Sequence, residues 1–89
     1  MNTENIKKFI LIEAVKLADD SVNILCWEAE EASKILETYE SRKKWNEETC
    51  ELYDTTVHFQ FRRVVLFPHS KNVDTYQIGI EDVIKISNS

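Results

Sequence analysis

Residues 5–20 read NIKKFILIEAVKLADD and residues 21–44 read SVNILCWEAEEASKILETYESRKK; how these two runs fold decides the class of the chain. In the first, apolar residues stand at Ile6, Phe9, Ile10, Val15, Leu17 and Ala18, with Leu11, Ile12 and Ala14 between them. Such density exceeds one narrow helical stripe, and the reading taken is a helix over Asn5–Asp20 packed on two sides. Thr3 is its expected N-cap and Glu4 suits its first turn, whereas Asp19-Asp20 oppose the helix dipole and are expected to end it.

The second run carries two patterns. Val22, Leu25, Ala29, Ala32, Leu36 and Tyr39 recur at spacings of three and four, a helical seam with Ser21 as its N-cap. Val22, Ile24 and Cys26 also alternate with Asn23, Leu25 and Trp27, which suits a short strand. A single helix from about residue 22 to 44 is preferred, with a strand at 22–27 as the alternative. From Glu28 onward Glu, Ala, Lys and Leu dominate, and Glu30 and Lys34 stand at a favourable i,i+4 spacing. Arg42-Lys43-Lys44 favours a helix end, and Trp45-Asn46-Glu47-Glu48 reads as a connection.

Beyond residue 50 the period falls to two. Val57, Phe59 and Phe61 alternate with Thr56, His58, Gln60 and Arg62, a half-buried strand. Val64-Val65-Leu66-Phe67 loses the alternation, so a bend or bulge is expected there. Pro68 to Asn72 is the turn, and Tyr76, Ile78 and Ile80 resume the strand with Gly79 marking a bulge. Val83, Ile84 and Ile86 read as a last strand or short turn, and Cys50, Leu52 and Tyr53 as a third, short strand. The expected fold is α+β: two N-terminal helices packed on a small C-terminal antiparallel β-meander, in a single domain over 1–89.

The chain of 89 residues is 43% hydrophobic and has a formal net charge of −5, so it carries enough apolar material for one modest core. The acidity is concentrated: residues 19–54 sum to −7, while the flanking thirds are each +1. A direct nucleic-acid or anionic-membrane binder shows the opposite balance, and neither partner is expected. The short run Phe9–Ile12 suits neither a signal nor a membrane span, so a cytoplasmic protein with reduced thiols is expected.

Chemistry is sparse. Cys26, Cys50, His58 and His69 invite a zinc reading, but ligand pairs two to four residues apart are missing, and no metal is expected. A Cys50–His58 nucleophile pair lacks glycine turns from which an oxyanion hole is commonly built, since Gly79 is the only glycine. Arg62 and Arg63, adjacent on a strand, point to opposite faces and make no phosphate patch unless the strand bulges. No cofactor and no catalytic residue are expected.

One feature stands above background. Glu28, Glu31, Glu40, Glu47, Glu48, Glu51 and Asp54, with Asp19 and Asp20, are expected to crowd one end and side of a helical layer, with Trp45 and Tyr53 beside them. A solvated helix face is the ordinary explanation of such a run. The functional one is docking on a basic partner, with Trp45 as a partly exposed anchor. The expected site is Glu40, Trp45, Glu47, Glu48, Glu51, Tyr53 and Asp54. The expected function is a non-enzymatic inhibitor or regulator that binds another protein, of the kind that phage and mobile elements use against host nucleases. An antitoxin-like or transcription-associated module is the first alternative, and a small enzyme with an unrecognised pocket the second. A homodimer through an open sheet edge at Val73–Ile80 is a further expectation.

Overall fold

Phe9, Leu11, Glu13 and Val15 are buried, while Lys8, Ile10, Ile12 and Ala14, each one position before them, are only part-buried. That period of two makes the first apolar run a strand, β1 (Asn5–Lys16), not the expected helix. The computed structural model describes residues 5–17, 19–50 and 56–89. Within them follow β2 (Val22–Ala29), α1 (Ala32–Cys50), β3 (Thr56–Phe67), β4 (Asn72–Ile78) and α2 (Ile80–Ser87). The strands form one antiparallel sheet in the order β2-β1-β3-β4.

The arrangement of two N-terminal helices on a C-terminal meander is therefore overturned: half of the sheet is N-terminal, and the helices are interleaved. β1 is a central strand, lined on one face by the helices and half-shielded on the other, so apolar residues fall at nearly every position. A helix buried on two sides writes the same pattern, and periodicity alone does not separate the two. The abundance of Ile and Val in this run was the signal for a strand. The expected cap at Thr3 lies outside the described residues.

The expected helix over 22–44 divides. Residues 22–29 form β2, as the strand alternative had it, and α1 starts only at Ala32. Ser21 caps no helix; it closes the β1–β2 turn, where its backbone N–H donates to Asp19 Oδ1 at 3.0 Å and Asp20 adopts φ 69°. Lys34 pairs with Glu37 at 3.5 Å, because Glu30 precedes the helix. Trp45 to Glu48 is not a connection but the penultimate turn of α1, which continues to Cys50. The short strand expected around Cys50, Leu52 and Tyr53 is absent at Cys50, which ends α1, and otherwise lies outside the described residues.

At the C-terminus β3 and the turn after it match expectation, and Lys71 takes φ 59° to admit β4. The bulge sits one strand over: β1 shifts register between Ile6 and Lys8, opposite Val64 and Val65. The last strand is instead the helix α2. Gly79 is its N-cap, and its N–H donates to Asp82 Oδ2 at 3.1 Å. Glu81 and Asp82 in the first turn and Lys85 in the last match the helix dipole. Val83 is fully buried, since Ile80, Val83 and Ile86 recur at helical spacing on the core side.

Both helices lie on one face of the sheet. The core there joins Phe9, Leu11 and Phe61 from the strands to Ala32, Ile35 and Val83 from the helices, with Tyr39 edge-on to Phe59 at 5.1 Å. Each fully buried side chain of the size of Leu11 or Ile35 contributes about 1.5–3 kcal/mol. Among the described residues the opposite face of the sheet carries no helix, and the molecule is a slab of 50 × 26 × 16 Å.

Candidate functional site

Glu13 stands in the middle of β1 on the helix-covered face and is fully buried. A lone carboxylate there is costly unless ionic and hydrogen-bonding partners reach it. They come from α1. Its buried stripe runs Ala32, Ile35, Leu36 and Tyr39, and then turns polar at Arg42 and Asn46. Arg42 donates from Nε to Glu13 Oε1 at 2.7 Å and from Nη2 to Oε2 at 2.9 Å. Asn46 adds a third donor, Nδ2 to Oε2 at 3.0 Å, and the same amide donates to the Arg42 carbonyl at 2.8 Å. The polar half of the helix stripe thus meets the one polar position on the buried face of β1.

Burial alone would raise the Glu13 pKa, and it is the strongest single influence. The hydrogen bonds from Arg42 and Asn46, with the Arg42 charge, outweigh it and hold the carboxyl below the ordinary glutamate range. The hydrogen bond to Glu13 likewise pushes the Arg42 guanidinium up. The pair is bidentate, and both shifts favour its charged form.

Two indoles enclose the guanidinium. Arg42 Cζ lies 4.4 Å from the Trp45 ring centroid and 5.0 Å from that of Trp27. Trp27 enters from β2 and is part-buried, and its side chain also helps to hold the Glu13 carboxyl below the ordinary range. Trp45, three residues after Arg42 on α1, is 48% exposed. The stack therefore leads from a buried carboxylate, through a cation, to a tryptophan open to solvent.

Beside it, Tyr39, Lys43, Asn46 and Glu47 of α1 and Val57 and Phe59 of β3 line a shallow groove of about 340 Å³. Lys43 Nζ stands 5.8 Å from the Tyr39 ring. Its aromatic floor and mixed-charge rim suit one apolar or cationic side chain of a partner.

The other site residues fall as follows. Glu40, Glu47 and Glu48 are exposed on α1 and make no ion pair within 4 Å among the described residues. Glu51, Tyr53 and Asp54 lie outside the described residues. The acids expected on one helical layer are dispersed: Asp19 and Asp20 lie in the β1–β2 turn, and Glu28 on β2 pairs with Lys8 at 3.0 Å on the uncovered face. α1 itself carries as many cations as acids over Ala32–Cys50, so the acidic surface is a patch and not a whole helix.

Cys26 and His58 lie on the uncovered face, on strands either side of β1, and His69 is in the β3–β4 turn. The Cys50 side chain lies outside the described residues. No group of three or more His, Cys, Asp or Glu able to hold a metal occurs among the described residues, and no described helix is long and apolar enough to cross a membrane. Arg63 faces Tyr76 at 5.9 Å on the helix side, and Arg62 stands on the opposite face.

Sequence reasoning missed Glu13, Arg42 and Asn46. The available signal was an acid inside FILIEAV, a setting that requires a cationic partner elsewhere in the chain. Comparison with protein families, curated proteins and solved structures finds no match to this chain.

Proposed function

We propose that this chain is a non-enzymatic protein-binding module that docks through the C-terminal half of α1, with Trp45 as its anchor. The observation that carries the reading is the combination of exposure and fixation at Trp45. Its ring is 48% exposed, yet it lies 4.4 Å from a guanidinium that Glu13 holds by two hydrogen bonds. A large aromatic held before binding loses little side-chain freedom on docking, the property expected of an interface hot spot.

Around the anchor, Glu40, Glu47 and Glu48 are exposed carboxylates that make no ion pair among the described residues, which favours a partner with a basic surface and speeds its encounter. The groove beside Asn46 offers a place for one partner side chain. The mode is inhibition or regulation by occupancy, since the residues gathered here bind and orient.

The test is capture of a partner from host lysate by three tagged proteins: the wild type, Trp45→Ala, and Glu47→Lys with Glu48→Lys. A protein retained by the wild type and lost from both variants, each shown by circular dichroism to be folded, supports the reading. Equal recovery by all three removes it.

A further inference from the structure

β2 is an outer strand of the sheet. It pairs with β1 at every position from Val22 to Ala29 without a register shift, and no strand lies on its other side among the described residues. In an antiparallel strand alternate residues turn their N–H and C=O groups to opposite sides, so half of the β2 backbone points outward from the sheet. No backbone hydrogen bond beyond the β1 ladder reaches Val22–Ala29 among the described residues.

Proteins commonly blunt such an edge with proline, lysine or a bulge. β2 reads VNILCWEA and has none of the three. Ile24 is 65% exposed, Val22 54% and Leu25 42%. β4, at the other edge, is interrupted by the charge of Asp74. An apolar, regular, open edge is a template for one more strand, and the chemistry that completes it is an extended backbone.

The charges at its two ends select which one. From Leu17 to Ser33 the chain has five acids, Asp19, Asp20, Glu28, Glu30 and Glu31, and no lysine or arginine. Two of them are balanced from β1, Asp20 by Lys16 at 3.4 Å and Glu28 by Lys8 at 3.0 Å. Asp19, before β2, and Glu30 and Glu31, after it, make no ion pair within 4 Å among the described residues. A second copy is thereby disfavoured: antiparallel pairing of β2 with itself sets the Asp19 end against the Glu30–Glu31 end, and parallel pairing sets each acidic end against its own kind. We infer that the free edge of β2 takes up one extended segment of a partner protein, apolar at alternate positions and basic at both ends. One row of its side chains then stands beside Val22, Ile24 and Cys26. The other stands beside Leu25 and Trp27, on the side of the sheet where Trp45 is held. The ladder and the end charges hold the segment, so its capture does not depend on Trp45 being an anchor.

A labelled ten-residue peptide, with two lysines at each end and alternating Val and Thr between them, is titrated with the full chain and read by fluorescence anisotropy. The wild type is expected to bind it, and about tenfold more weakly when the lysines are replaced by glutamates. N-methylation of alternate central amides, in one phase or the other, is expected to remove binding in at least one phase, because it blocks the ladder. Amide exchange should slow at Val22–Ala29 on binding and stay unchanged at Asn72–Ile78. Ile24→Lys, with unchanged circular dichroism, is expected to bind about tenfold more weakly, since it places a cation on the edge that the basic-ended segment must approach. Should that variant fail to fold, the methylated peptides on the wild type decide. No binding of the lysine-ended peptide at millimolar concentration overturns the inference. So does equal affinity for the glutamate-ended peptide or for both methylated peptides, and so does slowed exchange confined to Asn72–Ile78.

Discussion

Arg42 spans from α1 to the centre of the sheet and closes both carboxylate oxygens of Glu13, at 2.7 and 2.9 Å, while its outer side supports the exposed ring of Trp45. One side chain thereby joins the interior to the surface at which docking is proposed. Removing it leaves the Glu13 carboxylate buried, with the side chains of Asn46 and Trp27 as donors that do not neutralise its charge. Arg42→Ala is expected to destabilise the fold by about 3–5 kcal/mol, read as a lower urea midpoint. Replacing both members, Glu13→Leu with Arg42→Leu, is expected to recover most of that loss, because apolar side chains incur no charge-burial penalty. Equal destabilisation by the single and double variants would show that the ion pair is not the source of the cost.

Stability should depend on pH through Glu13. Its folded pKa lies below the ordinary glutamate value, so its contribution is fully present above the unfolded pKa of about 4.3 and is lost as pH falls through the lower, folded value. Urea midpoints measured from neutral to strongly acidic pH should fall over that window in the wild type. Glu13→Gln should be less stable at neutral pH and show a shallower acid limb. An acid limb of unchanged slope would assign the loss to other carboxylates.

Ile35 and Trp45 lie on one helix and should separate cleanly. Ile35 is fully buried between the sheet and α1, and Ile35→Ala is expected to cost about 2–5 kcal/mol. Trp45→Ala removes half-exposed area and a cation–π contact, and should cost no more than about 1–2 kcal/mol. Thermal melts of the two variants check this, and a Trp45→Ala melt as low as that of Ile35→Ala would place Trp45 in the core.

Gly79 opens α2 with φ −84° and ψ 162°, a conformation that any residue adopts. A Cβ there meets only the flexible carboxylate ends of Glu81 and Asp82, at 3.2 and 3.7 Å. Gly79→Ser should therefore stabilise by about 0.5–1 kcal/mol, by restricting the unfolded chain and supplying a side-chain cap. A lowered melting temperature would contradict the N-cap assignment.

β3 and the turn after it were legible because Val57, Phe59 and Phe61 sit on a strand with one polar face, where alternation is visible, whereas α2 was read as a strand or short turn because its apolar residues Ile80, Val83, Ile84 and Ile86 are too few to show a helical period. The N-terminal half was not, because Ile10 and Ile12 remain apolar on the uncovered face and erase the alternation around Leu11 and Glu13. The seam read through Val22, Leu25 and Ala29 was an accident of β2 running into α1, whose own stripe begins at Ala32. The site was half-visible in the same way. Trp45 and the acids Glu40, Glu47 and Glu48 stand out by type, but Glu13 meets Arg42 only because β1 and α1 cross, 29 positions apart in the chain.

Trp45, fixed from within by the Glu13–Arg42 ion pair, is the proposed docking residue. Its most direct test is the affinity of the captured partner for the wild type, Trp45→Ala and Glu13→Gln, each verified as folded under the conditions of the titration. Loss of a hot-spot anchor should weaken binding by roughly 30-fold or more in Trp45→Ala. Glu13→Gln, which touches no partner but releases Arg42, should weaken it by a smaller factor of about ten, the scale of one ordered side chain. Affinities equal to wild type in both variants would show that Trp45 does not anchor the partner.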